Sequence, residues 1–181
     1  LYFVRIKKYK LVDLLVKLFP EIIKRIPNAR LIIAGWGTEA SLITDQVMKS
    51  PLRRKISLMG PVTKAEKRTL LSKSWLFVNP SIGEGWSIAV IEANLQGTPA
   101  VSFDVSGLSE SVRHDVTGLL ATSEDHFVES ITRVLTHKNV RTRLSKHAEK
   151  WARAFSWDET AAKSLQLIEK ISERAPAASR R

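Results

Sequence analysis

Two glutamates, Glu84 and Glu92, have the residue type and setting that most invite chemistry in this sequence. They lie in the run Pro80-Ser81-Ile82-Gly83-Glu84-Gly85-Trp86-Ser87-Ile88-Ala89-Val90-Ile91-Glu92-Ala93, directly after an apolar stretch. Glu84 precedes the helix predicted here and Glu92 falls in its second turn, so the two need not act as acid and base across one bond. They can instead touch different parts of one extended ligand. A carboxylate that accepts two hydrogen bonds is a natural clamp for the vicinal diol of a ribose. Gly83 and Gly85 flank Glu84 and would let the backbone turn sharply and a ligand approach closely. Ser87 reads as a helix N-cap, leaving backbone N–H groups and the positive end of the helix dipole beside the loop, where a phosphate would sit well. Taken alone, the pair is equally well described as a solvated loop residue and an exposed helix residue.

A second group is cationic. Arg5, Lys7, Lys8 and Lys10 close the first apolar segment, and without further information they read as a basic strand end in water. Gly35 and Gly37 follow one predicted strand and precede a helix, a lone Gly-x-Gly that by itself says little about nucleotides. His114, His126, His137 and His147 show no metal-ligand spacing and read as structural or surface residues. There is no Asp-x-Asp pair, so no metal site is expected. Cysteine is absent, which excludes disulfides, zinc-thiolate sites and a thiol nucleophile. Trp151 and Trp157 are expected to pack helices.

These residues must be positioned by short apolar runs that alternate with amphipathic stretches, the pattern of repeated strand–helix units and a parallel sheet. Strands are predicted at Leu1–Arg5, Arg30–Ala34, Ile56–Met59, Leu76–Asn79, Ala100–Phe103 and Gly118–Leu120. Helices are predicted at Leu11–Arg25, Glu39–Lys49, Lys64–Ser72, Ser87–Gln96, Phe127–Thr136, Asn139–Phe155 and Asp158–Glu173. The last three run without intervening strands and should wrap the sheet or reach toward another domain. The fold class is therefore α/β: a Rossmann-like parallel sheet of about six strands flanked by helices, with extra C-terminal helices. One domain over residues 1–174 is the economical division, with a frayed tail at 175–181. Loops at the carboxyl ends of such strands are where an open α/β sheet binds its ligand.

The 181 residues are 44% hydrophobic and 26% charged, an ordinary globular balance. Residues 1–80 hold 16 Lys and Arg against 5 Asp and Glu, a net +11, whereas residues 81–181 hold 13 of each. The whole excess of positive charge therefore belongs to the first half, which would attract anions. No apolar run approaches the roughly 20 residues needed to cross a bilayer. The chain opens at Leu1 in what already reads as a strand, with methionine only at Met48 and Met59, and so reads as a piece of a longer polypeptide.

The Glu84/Glu92 element is followed by Gly97-Thr98-Pro99-Ala100-Val101, Asp104-Val105-Ser106-Gly107-Leu108, Glu110 and Thr117-Gly118-Leu119-Leu120. Before it come Val4-Arg5 through Lys10, Val12-Asp13-Leu14-Leu15, Ile33-Ala34-Gly35-Trp36-Gly37-Thr38-Glu39 and Leu58-Met59-Gly60-Pro61-Val62, and Phe155-Ser156-Trp157 ends the series. In this order the strings resemble the C-terminal domain of the retaining GT-B glycosyltransferases of family 4, the group 1 glycosyltransferases, from about Leu1 to Trp157. The resemblance implies one half of a GT-B fold, the half that binds a UDP-, GDP- or ADP-sugar donor. It implies that Glu92 holds the ribose, that Glu84 contacts hydroxyls of the donor sugar, and that the amides of Gly85, Trp86, Ser87 and Ile88 meet the sugar and the distal phosphate. Arg5 and Lys10 stand where that family binds the diphosphate, Gly35 lines the donor cleft, and the base lies near Val62. Two fixed cations can offset the charge building on a departing nucleoside diphosphate, so neither cofactor nor metal is expected. The sequence departs from the family pattern at Val4, Leu11 and Ser87, where glycine is usual, and at Trp75, where aspartate is usual.

The function that the resemblance implies is retaining, metal-independent transfer of a sugar to a glycan or lipid-linked acceptor. The acceptor would be bound by an N-terminal domain absent here, so the isolated chain is expected to bind nucleotide and transfer little. The implied location is cytoplasmic, with peripheral contact at the anionic inner membrane face as an option. The alternative is a basic module for nucleic acid or anionic membrane, built on the first half. Nucleic acid is disfavoured, because no recognised motif is present and the aromatics are not interleaved with the basic residues. A dinucleotide-dependent oxidoreductase is disfavoured by the missing Gly-x-Gly-x-x-Gly.

Overall fold

The computed structural model describes residues 1–174; the tail expected to fray lies outside the described residues. Six strands alternate with helices: β1 (Tyr2–Arg5), α1 (Val12–Arg25), β2 (Leu31–Trp36), α2 (Ala40–Lys49), β3 (Ile56–Leu58), α3 (Lys64–Lys73), β4 (Phe77–Asn79), α4 (Ile88–Leu95), β5 (Ala100–Phe103), the one-turn α5 (Leu108–Ser111), β6 (Gly118–Ala121), α6 (Glu124–Thr136), α7 (Lys138–Ala152) and α8 (Trp157–Arg174). Short 3-10 turns at Lys8–Lys10 and Arg53–Lys55 complete the set.

The strands form two parallel three-stranded sheets, β1-β2-β3 and β4-β5-β6. Leu1 joins them. Its nitrogen donates to the Leu76 carbonyl and its carbonyl accepts from Val78 N, both at 2.9 Å. The spatial order is thus 3-2-1-4-5-6, the doubly wound order whose direction reverses between β1 and β4. Ligands bind at that crevice, outside the carboxyl ends of the strands.

Burial explains why the strands read as short apolar runs. Phe77, Val78, Ala100 and Val101 are buried with helices on both faces, so no polar alternation survives. On α1 the residues Val12, Leu15, Val16, Phe19 and Ile22 supply the buried stripe. Two helix starts are locally encoded. Thr63 and Glu66 form a reciprocal capping box on α3, and Ser123 accepts from His126 N at the head of α6.

Some expectations change. The second strand runs on through Gly35 and Trp36, so Gly35 is a strand residue rather than part of a loop. Gly83 and Gly85 do not use the left-handed region, and a Cβ at either would meet nothing within 4 Å, so they leave open space over the loop rather than a forced turn. Ser87 occupies the N-cap position of α4 but makes no side-chain cap. Of the last three helices, α6 packs on β5, β6 and α1, and α7 packs on α4 and α6. The side chains described along α8 are exposed, and Trp157, expected to pack, is 79% exposed because no other element among the described residues packs over that helix.

Candidate functional site

The site forms where the carboxyl ends of β1 and β4 meet. Tyr2 and Arg5 come from β1, Lys10 from the turn behind it, and Asn79 from the last position of β4. Lys10 Nζ and Glu84 Oε1 form an ion pair whose side chains are only 12% and 15% exposed. Glu84 Oε1 also receives Ser81 Oγ at 3.2 Å and Asn79 Nδ2 at 3.4 Å. Asn79 spends its other contacts on the same loop: its Nδ2 donates to Ser87 Oγ at 3.2 Å, and its Oδ1 accepts from Ser81 N at 3.1 Å and Ser81 Oγ at 2.6 Å. The hydroxyl expected to cap α4 is thus engaged by Asn79, while the Ser87 carbonyl accepts from Val90 N and Ile91 N.

The loop that carries Glu84 is clamped from behind. Glu84 N lies 3.4 Å from the Ser106 carbonyl, and Gly107, at φ +76°, passes so close that a Cβ there would stand 1.9 Å from the Glu84 carbonyl oxygen. Trp86 packs edge-on against Phe155 with ring centroids 4.9 Å apart, and Phe155 packs edge-on against Trp151 at 4.8 Å. Gly85 and Ile88 are exposed on the open side.

Glu92, on the second turn of α4, pairs with Lys67 of α3, and Lys67 Nζ also lies 5.0 Å from the centre of the Phe3 ring. Glu92 is neither buried nor fully solvated, its side chain being 32% exposed. Arg5 is exposed and stacks on Trp36, its cross-strand neighbour, at 4.7 Å from the ring centre. At Gly35 the backbone of β2 lies close against β1: at φ +136°, a Cβ would sit 1.7 Å from the Val4 carbonyl oxygen. Gly35 N donates to the Gly60 carbonyl at 2.7 Å, which brings the Pro61-Val62 loop beside the end of β2, with Val62 half-buried.

Lys10, Glu84 and Ser87 are therefore drawn into one network, with Gly85, Trp86 and Ile88 on the same loop and helix start. Glu92 belongs to a second ion pair, and Arg5 to the exposed edge of β1 and β2. Sequence reasoning missed Tyr2, Asn79, Ser81 and Lys67. A polar Asn79 ending an otherwise apolar strand was a readable signal; Lys67 meets Glu92 only through tertiary packing. Among the described residues no group of three or more His, Asp or Glu side chains could hold a metal ion. An apolar hollow of about 460 Å³, lined by Phe19, Ile22, Leu31 and Trp75 among others, lies at the opposite, amino-terminal end of the strands and shares no residue with this network.

The doubly wound order sets a lysine–glutamate pair at the switch point, the end at which an open α/β sheet takes its ligand. Residues 1–151 match the family model described as glycosyl transferases group 1. An uncharacterized glycosyltransferase of Methanocaldococcus jannaschii is 29% identical over 166 residues, covering 90% of this chain and 42% of that protein. Sucrose-phosphate synthase from Thermosynechococcus elongatus superposes with a TM-score of 0.86 at 24% identity, covering 96% of this chain and 45% of its own. The pneumococcal O-GlcNAc transferase GtfA, in complex with UDP and GlcNAc, superposes with a TM-score of 0.83 at 23% identity, covering 94% of this chain and 35% of its own. The chain belongs to the group 1 glycosyltransferase family and has the fold of a GT-B half. It spans 35–45% of the length of these relatives.

Proposed function

We infer that the chain is the donor-binding half of a retaining glycosyltransferase that uses a nucleotide sugar, with a UDP-sugar as the leading candidate. The observation that carries this reading is the Lys10–Glu84 pair at the switch point, held by Asn79 and Ser81 at the head of α4. UDP leads because GtfA, which shares the fold, was solved with UDP bound.

In this reading the diphosphate lies against Lys10 and Arg5, whose charges offset the negative charge that grows as the glycosidic bond to phosphate breaks. The Trp86, Ser87 and Ile88 amides at the start of α4 face the distal phosphate and the sugar, where the helix dipole favours an anion. Glu84, drawn toward Lys10 on one oxygen, offers the other to sugar hydroxyls. Glu92, paired with Lys67 through Oε1, offers Oε2 to the ribose diol, and the backbone around Val62 and Gly35 lines the base side. Positive charge supplied by side chains makes a metal unnecessary. The acceptor, a glycan or a lipid-linked one, is held by a second domain, and the isolated chain binds donor without turning it over. In this reading the protein works in the cytoplasm, with peripheral contact at the inner membrane face as an option. Among the described residues no helix is long and apolar enough to cross a membrane.

Calorimetric titration with UDP, GDP and ADP at two salt concentrations, repeated on Glu92→Ala, tests the reading. Saturable binding of one nucleotide, lost in the variant, is the expected result and names the base. Absence of nucleotide binding together with tight, salt-sensitive binding to DNA or acidic vesicles would replace it with the basic-module alternative.

A further inference from the structure

The donor reading leaves one polar group in the floor of the site without a role, the phenol of Tyr2. Its side chain is 1% exposed, and its ring meets Phe77 edge-on with centroids 6.2 Å apart. The hydroxyl oxygen lies 3.0 Å from the Lys10 carbonyl, 3.1 Å from Ser81 Oγ and 3.3 Å from Asn79 Oδ1. Burial pushes the phenol far above the usual tyrosine range; the bond to Ser81 opposes this and the Glu84 charge adds to it, so the hydroxyl remains a protonated donor.

That donor is one of two hydroxyls in the cluster. Tyr2 and Ser81 carry one hydroxyl proton each, and three acceptors face them: the Lys10 carbonyl, Asn79 Oδ1 and Glu84 Oε1. Asn79 Oδ1 already accepts from Ser81 N. With the Tyr2 proton on the Lys10 carbonyl, the Ser81 proton is left for the Asn79–Glu84 side, and every acceptor is served.

The Lys10 carbonyl belongs to an unusual peptide. It leads into Leu11, which holds φ +47° and ψ +45°, a left-handed conformation that a residue with a side chain adopts at a cost. Leu11 must hold it, because its N–H closes the preceding turn on the Lys8 carbonyl and its carbonyl accepts the first bond of α1 from Leu15 N.

We propose that Tyr2 is a positioning residue for donor diphosphate: its hydroxyl pins the Lys10–Leu11 peptide in the left-handed turn that aims Lys10 at Glu84, whose own side of the pair is held by Ser81 and Asn79. One buried phenol thereby sets the direction of Lys10, and this rests on reading Lys10 as a diphosphate ligand. A glycine at position 11 would need no such tether, since it enters the left-handed region freely.

The test titrates the unaltered chain, Tyr2→Phe, Leu11→Gly and the double variant with UDP and UMP, or with the guanine or adenine pair if that is the base bound, and records thermal unfolding of each. Tyr2→Phe is expected to weaken UDP about tenfold, part of the value of a hydrogen-bonded charge, and UMP by less than about twofold. Leu11→Gly alone leaves UDP binding unchanged, and in the double variant most of the loss is recovered. Equal weakening of UDP and UMP, unchanged UDP binding in Tyr2→Phe, or simple additivity in the double variant would each overturn the proposal. Failure of the donor reading would show differently, as absent nucleotide binding in an unaltered chain that still unfolds cooperatively, and the proposal would fall with it.

Discussion

Lys10 and Glu84 neutralise one another in a setting that leaves each little water to fall back on. Removing either partner strands a largely buried charge, so Lys10→Ala or Glu84→Ala is expected to cost about 1–3 kcal/mol in urea unfolding. Removing both together should cost clearly less than the sum, because neither charge is then left alone. Glu92 and Lys67 are more exposed, and there the difference lies in binding: Glu92→Ala should abolish measurable UDP titration, whereas Lys67→Met should weaken it and leave it saturable. The two glutamates were legible in the sequence because they sit on one continuous loop and helix. Lys67 and Tyr2 were not, since the first reaches Glu92 across a helix pair and the second reaches Lys10 back across a turn and Ser81 across the β1–β4 boundary. No local pattern encodes a contact of that kind.

Glycines separate positions that the fold needs from positions that it leaves open. Gly35→Ala would drive a Cβ into the Val4 carbonyl, and it should destabilise the chain by about 3 kcal/mol or more and disturb Arg5 one residue on. Gly85→Ala meets no atom within 4 Å, so its unfolding midpoint should stay near that of the unaltered chain while UDP binding falls. Thermal unfolding measured beside calorimetry tells the two outcomes apart. At this scale every strand and all the long helices were readable, because apolar runs and helical spacing are local properties. The errors fell at ends and in small pieces. The second strand ran on past Ala34 because a glycine permits close strand pairing, and α5 and the two 3-10 turns are too short for a periodic signal.

Across the whole molecule, α8 stands apart from the packed body. Trp157, Leu165, Ile168 and Ile171 are all more than half exposed, and on a helix they amount to an apolar surface that promotes association. A chain ending at Ser156 is expected to keep its melting temperature within about 3 °C, because α8 covers nothing in the core, and to sediment with less self-association. The sequence already pointed to helices that wrap the sheet or leave it; which helix did which depended on the α4–α7 and α6–α1 packing, visible only once the sheet exists.

The backbone join between the two three-stranded sheets is the pair of bonds made by Leu1, and Lys10 and Glu84 stand on opposite sides of it. Such a boundary is a natural plane for partial opening, in which one set of strands loosens from the other while each stays folded. The amide proton of Val78 then becomes a reporter. It should exchange with deuterated water faster than those of Val101 and Leu119 within the second sheet, and a nucleotide gripping Lys10 on one side and the α4 amides on the other should slow it selectively. A ligand of this kind would act as a mechanical fastener between two halves of the domain, and its grip would be readable as the lifetime of a single hydrogen.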